Sequence, residues 1–321
     1  MGLRILFSAP YMIPEFERFR SVFESAEMEV ILPMVTERLS EADLLPYAGE
    51  VDGVICGDDQ FTARVLQAAS PRLKVISKWG TGIDSIDRDS AKTLGIQVCN
   101  TPGAFTEAVA DTVIGYILSF ARKLPWMDRS TKSGEWDKVP IRALHETAIG
   151  VIGVGKIGKA VLRRASPFGA HLLGNDVVEI DPAFVAMVGV EMLPLEDLLR
   201  LSDFVSLNCD LNPTSHRLID RARLGLMRPE AVLVNTARGA IVDQVSLVDA
   251  LRNGRIAGAA LDVFEEEPLP ADSELRRMDN VLLGPHNANG SPSAWERVHW
   301  NTIRNLFAGL GLQPPPTEAA D

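Results

Sequence analysis

Three side chains of different chemical type follow apolar runs in the second half of this 321-residue chain. Arg238 comes just after "AVLVNT", Glu267 lies in "LDVFEEEP" after "IAGAAL", and His286 follows "NVLLG". An imidazole with a starting pKa of about 6.5 can take or give a proton near neutral pH. An ionised carboxylate beside it favours the imidazolium and holds one tautomer. A guanidinium presents a planar fork to a carboxylate and a neighbouring oxygen. Brought together, the three could exchange a proton with a substrate that carries a carboxylate beside its reacting carbon. Each alone is more often structural. Their common position at the carboxyl ends of strand-like runs, where open α/β sheets gather ligands, makes them a candidate site. The other histidines, His145, His171, His216 and His299, lie in helical, strand-start or polar loop settings and read as ordinary surface or half-buried residues.

A second constellation lies upstream. "GVIGVGKIGKAV" (150–161) spells G-x-G-x-x-G with Gly153, Gly155 and Gly158. The motif alone is weak, but its context is that of a dinucleotide site: an apolar strand before, a helix after, and Asp176 closing the next strand 18 residues beyond Gly158. Gly153 would make the tight turn, Gly155 would admit the pyrophosphate to the backbone, and Gly158 would let helix and strand pack. The N–H groups at the helix start, at Lys156 and Ile157, would face the phosphates. Asp176 would accept hydrogen bonds from ribose hydroxyls and repel a 2′-phosphate. No Arg or Lys follows it in "NDVVEID", so NAD is expected rather than NADP.

The elements that must position these groups form two series. Over residues 3–99, "RILFSA", "EVIL", "GVICG" and "LKVISK" are of strand length, and "EFERFRSVFES" and "FTARVLQAA" have helical spacing. A long helix is expected at "AFTEAVADTVIGYILSFARK". A second alternating series follows from "AIGVIG" to "VLLGPH". Such alternation implies parallel sheets covered by helices. The nucleotide motif comes late because a separate α/β unit precedes it. The last helical stretch, "SPSAWERVHWNTIRNLFAGL", is expected to return to the first unit. The domains are then 1–99 plus 288–321, discontinuous, and 100–287. The Pro-rich tail "QPPPTEAAD" is expected to be disordered.

Composition narrows the class. The length is long for one core, and 46% hydrophobic with 23% charged residues suits a globular protein. A net charge of −11 argues against nucleic acid or an anionic membrane as the main partner. The three cysteines form no C-x-x-C pair, so neither a disulfide frame nor a metal site is expected, and a reducing cytoplasm is. The apolar run at the N-terminus is too short for a signal peptide, and "VIGYILSFA" (113–121) is far short of a membrane span.

Taken in order, "GTGIDSID" (80–87), "NTPGAFTEAVADT" (100–112), the glycine motif, "SDFVSLNCDLNPTSHRLI", "MRPEAVLVNTARGAIVDQVSLVDAL", "GAALDVFEEEPLP" and "GPHNA" resemble the NAD-dependent D-2-hydroxyacid dehydrogenase family, over about residues 70–300. The resemblance implies a flavodoxin-like substrate domain and a Rossmann NAD domain with a cleft between them. It also implies hydride transfer between NAD(H) and a small D-2-hydroxy or 2-keto acid. Its catalytic Arg, Glu and His fall on Arg238, Glu267 and His286. The acid that meets the nicotinamide amide falls on Asp262, and Asn208, Thr236 and Ala237 fall beside the cofactor. The backbone that holds the substrate carboxylate falls on Thr81 and Gly82. A homodimer through about 103–145 is implied as well.

Departures from the family pattern concern substrate and cofactor affinity rather than the triad: Asp210 in "NCDLNP", Asn287 after the histidine, and Asp111 where a Glu is usual. "GTGID" is similar to the phosphoglycerate branch, although the chain is expected to lack the C-terminal regulatory domain that some phosphoglycerate dehydrogenases carry. A phosphorylated substrate would need cations in the first domain, with Lys78, Arg72 and Lys74 as candidates. The competing reading is an NAD-sensing regulatory protein like the co-repressors that share this fold. A relative acting on formate or phosphite is a third.

Overall fold

A computed structural model describes residues 2–316; the end of the expected disordered tail, 317–321, lies outside the described residues. The chain divides into two compact units, with the divisions after Phe105 and after Gly290.

The first unit holds β1 (Arg4–Phe7), β2 (Glu29–Ile31), β3 (Gly53–Cys56), β4 (Val75–Lys78) and β5 (Gln97–Cys99). They form one sheet in the order β2-β1-β3-β4-β5, every pairing parallel. β3 and β4 are buried along their whole length, as strands covered on both faces must be. The helix Phe16–Ser25 turns Phe16, Phe19 and Phe23 inward at a spacing of three and four. The helix Pro292–Gly309 belongs to this unit and packs on β3, β4 and β5. Its Ser291 cap accepts from Ala294 N–H, and Ser77 of β4 donates to Thr302 C=O at 2.7 Å.

The second unit holds β6 (Ala148–Ile152), β7 (His171–Asn175), β8 (Val190–Met192), β9 (Phe204–Leu207), β10 (Val232–Asn235), β11 (Gly258–Leu261) and β12 (Val281–Leu283). The sheet order is β12-β11-β10-β9-β6-β7-β8, again parallel throughout. β6, β9, β10 and β11 are buried end to end. Strand order reverses between β6 and β9, so the sheet's switch point lies beyond their carboxyl ends. The expected long helix is present as Thr106–Ala121.

β5 and β8 are three-residue strands with an exposed first or middle residue, too short for a readable alternation. The boundaries also differ from 99/100 and 287/288. Residues 100–105 stay with the first unit because Thr101 N–H and hydroxyl both donate to Gly80 C=O, at 2.9 and 3.0 Å, and Phe105 packs on Trp79. Residues 288–290 stay with the second because Ala288 N–H is bonded to Asp262. Among the described residues no helix is long and apolar enough to cross a membrane.

Candidate active site

The glycine turn has the steric economy its spacing suggests. Gly153 follows β6 with φ +87°, and a Cβ there would lie 2.5 Å from the backbone nitrogen of Cys209. A Cβ on Gly158 would lie 2.0 Å from Gly153 O, so the helix Lys156–Ala165 can sit this close to its strand only without one. Gly155 caps that helix, and its Cβ direction is open. Lys156 and Ile157 form the first turn. Asp176, just past β7, binds the turn directly: its Oδ2 accepts from Val154 N–H at 2.6 Å and its Oδ1 from Val178 N–H at 3.1 Å.

Asn208 stands across the switch point, just past β9. Its Nδ2 donates to Ser206, while its Oδ1 is buried and has no hydrogen-bond partner among the described residues. A buried amide oxygen without a partner carries a cost on the order of 1–3 kcal/mol, which a donor from a bound molecule would remove. With the two glycines packed against backbone and Gly155 open, these residues fit a dinucleotide. Cys209, at the same place, has its thiol pushed up to about 11 by burial, so it stays protonated at neutral pH.

The three candidate catalytic residues sit at the ends of neighbouring strands. Beyond β10, the buried side chain of Asn235 accepts from Ala237 N–H at 3.0 Å and donates to Arg238 C=O at 2.9 Å. That bridge shapes the turn from which Arg238 projects. Arg238 Nη1 donates to Ala237 C=O at 2.9 Å. A Cβ on Gly239 would lie 1.9 Å from the carbonyl carbon of Phe264, so a glycine is required for the Arg238 turn to lie against the segment leading to Glu267.

Beyond β11, Glu267 Oε1 accepts from Phe264 N–H at 2.8 Å, and its Oε2 lies 2.9 Å from His286 Nδ1. Both side chains are largely buried. His286 itself has φ +54°, a conformation that costs a non-glycine residue on the order of 1–3 kcal/mol and persists only where its surroundings hold it. Asp262, buried at the end of β11, has its carboxylate on the backbone of residues 287 and 288. Burial raises its pKa, while those N–H donors oppose the rise.

Of the residues marked from sequence, the glycine turn, Asp176, Asn208, Thr236, Ala237, Arg238, Asp262, Glu267 and His286 all lie in the second unit. Thr81 and Gly82 lie in the first, past β4, where Thr81 hydroxyl donates to Thr101 C=O at 3.2 Å. The three candidate phosphate cations are otherwise engaged. Lys78 is buried against Asp58 at 3.2 Å and donates to Trp79 C=O, Arg72 is paired with Asp52, and Lys74 bonds Pro71 C=O. His299 and His171 have partners that sequence did not reveal. His299 is buried and accepts from Trp79 Nε1 at 2.9 Å, and His171 lies 3.2 Å from Glu191. Asp111 pairs with Arg164. Asn235 was not marked at all, although it stands inside the quoted block "VLVNTARGA".

Residues 114–288, more than half of the chain, match the family model described as "D-isomer specific 2-hydroxyacid dehydrogenase, NAD binding domain". A glyoxylate reductase of Thermofilum pendens is 39% identical over 86% of this chain and 84% of its own. A D-3-phosphoglycerate dehydrogenase of Methanocaldococcus jannaschii is 37% identical over 84% of this chain but only 51% of its own. Among solved structures, D-lactate dehydrogenase from Aquifex aeolicus, complexed with NAD and lactic acid, superposes with a TM-score of 0.83 at 27% identity, covering 93% of this chain and 92% of its own. The chain thus belongs to the NAD-dependent D-2-hydroxyacid dehydrogenase family, as an oxidoreductase whose cofactor is NAD.

Proposed function

We propose that the chain interconverts a small, unphosphorylated D-2-hydroxy acid and its 2-keto acid. In this reading His286 exchanges the proton, Glu267 holds His286, and Arg238 binds the substrate's carboxylate and reacting oxygen. The observation that carries it is the 2.9 Å contact between His286 Nδ1 and Glu267 Oε2. An ionised carboxylate can only accept, so in this contact Nδ1 carries the hydrogen, and we assign the proton exchange to Nε2. Glu267 is held in turn by Phe264 N–H, which keeps the pair in register.

NADH, when bound, would supply the hydride for the carbonyl carbon. His286 Nε2–H then gives its proton to the carbonyl oxygen, and in oxidation the neutral Nε2 takes it from the hydroxyl. Arg238 orients the carboxylate and offsets charge on the oxygen as it develops. We assign Thr81 and Gly82 N–H groups to the carboxylate's other side, with the first domain serving substrate and the second cofactor. The pyrophosphate goes to Gly153–Gly158 with Lys156 and Ile157, the adenosine ribose to Asp176, and the nicotinamide amide to Asp262. Asn208, Thr236 and Ala237 are placed along the cofactor. The unpartnered Asn208 Oδ1 supports this path. A homodimer through about 103–145 is part of the proposal, supported by Trp136, 83% exposed there.

The absence of phosphate from the substrate is supported by Lys78, Arg72 and Lys74, each already engaged within its own unit. A small side chain is supported by the relative that is named a glyoxylate reductase. A panel of 2-keto acids with NADH and NADPH, followed at 340 nm, tests the reading. Glyoxylate and short-chain 2-keto acids should be reduced, with NADH preferred, and 3-phosphohydroxypyruvate should react poorly. No substrate-dependent oxidation across the panel, with NADH still bound, would favour the regulatory reading instead.

A further inference from the structure

The turn that carries His286 is held by one buried residue. Asp262 C=O accepts from His286 N–H at 2.7 Å, its Oδ1 from Asn287 N–H at 3.0 Å, and its Oδ2 from Ala288 N–H at 2.7 Å. Three consecutive backbone donors therefore end on one residue 2% exposed to solvent. The same residue is anchored from the other side, since Asp262 N–H donates to Asn235 C=O at 2.9 Å. Gly284 closes the cradle: a Cβ there would lie 2.3 Å from Asp262 Oδ1 and 2.6 Å from Tyr116 Oη.

We propose that Asp262 is a positioning residue for the proton-exchanging imidazole, holding the His286 turn in its left-handed conformation through these backbone bonds. This rests on the reading of His286 given above and goes beyond the contact with the nicotinamide assigned to Asp262 there. His286 reaches Glu267 from a backbone conformation that other residues rarely adopt. Two of the three bonds that hold that backbone need both carboxylate oxygens as acceptors. Converting one oxygen to an amide sets an N–H against an N–H, which loosens the turn while leaving the imidazole and Glu267 in place. The role is exerted without touching the reacting atoms, so its signature is in the behaviour of His286, with or without cofactor.

The test uses the full chain as Asp262→Asn and, independently, Gly284→Ala, which drives a methyl group onto the same carboxylate without removing its charge. The imidazole nitrogens of His286 are followed by NMR through a pH titration without cofactor, assigned with His286→Gln. Kd for NADH and the pH profile of kcat/KM are measured alongside. Both variants should shift the His286 titration and the matching limb of the profile by about half a pH unit or more. They should also weaken the Nδ1-protonated tautomer signature and lower kcat on the order of 10- to 100-fold. Should Asp262→Asn fail to fold, Gly284→Ala carries the same expectation. An unchanged His286 titration and profile overturns the proposal, whether or not NADH affinity falls, because Asp262 would then serve the cofactor alone or neither. Wild-type-like turnover by His286→Gln would instead overturn the parent reading, and is read separately.

Discussion

The two sheets have related switch points with opposite finishes. In the first unit the order reverses between β1 and β3, and the groups beyond those strands are sealed. Ser8 donates to Asp59 at 2.5 Å, Leu39 N–H donates to the same carboxylate, and Asp59 is wholly buried. Beside them Lys78 is closed by Asp58 and Trp79 C=O. In the second unit the reversal lies between β6 and β9, and there the turn is glycine and the Asn208 amide oxygen lacks a partner among the described residues. The strand ends next to it present the largely buried Glu267–His286 pair and Arg238. Topology concentrates polar groups at both places, but it does not make both into sites. A strand end whose polar groups satisfy one another is closed to a ligand; one that leaves the Asn208 amide oxygen without a partner among the described residues can bind.

That contrast breaks most sharply at the open end. His286→Ala should lower kcat/KM by about 10³- to 10⁴-fold while NADH affinity stays within a few-fold, by the usual worth of a general acid–base. Stopped-flow turnover with fluorescence titration checks it, and equal loss of both would mean a damaged fold. Arg238→Ala should cost roughly 10²- to 10⁴-fold in kcat/KM, since a charged substrate would lose its fork; near-normal steady-state kinetics would remove Arg238 from the site.

At the sealed end the expected effect is on stability. Burial raises the Asp59 carboxyl to about 6. A raised folded-state value means the native state binds the proton more tightly than the unfolded chain. Its contribution is therefore full below about pH 4 and is lost as pH rises through 6. Relative to Asp59→Asn, which does not titrate, wild type should lose on the order of 3 kcal/mol between pH 4 and 7. Urea unfolding at both pH values measures this. His299, held at about 4 by burial, acts with the opposite sign, and the comparison with Asp59→Asn cancels it. Turnover by Asp59→Asn at pH 7 should remain close to wild type, and a large loss would show that the sealed end belongs to the chemistry. The smallest effect is at Asp176: replacing it with Ala should narrow the preference for NADH over NADPH by about tenfold, the worth of one good hydrogen bond. An unchanged Kd ratio would detach Asp176 from the ribose.

Much of the second unit was legible because its chemistry is local. Arg238, Glu267 and His286 each follow an apolar run, and Gly153, Gly155 and Gly158 stand at fixed offsets inside one strand–turn–helix. Asn235 escaped because a buried amide looks like any other strand-end residue until its two bonds are seen. Lys78 read as a candidate anion ligand, and its burial against Asp58 is visible only in the folded chain. His299 gave no sign of Trp79, 220 residues away.

Residue order alone therefore determined the architecture and cofactor class, because periodicity and glycine sterics act over a few neighbouring positions. Which polar groups satisfy one another was decided only by the folded chain. Parallel register and helix packing bring together donors and acceptors far apart in sequence, as Asp262 and the His286 turn show across 25 and 26 residues. A hydrogen bond depends on that final geometry to within fractions of an ångström, which no local pattern encodes.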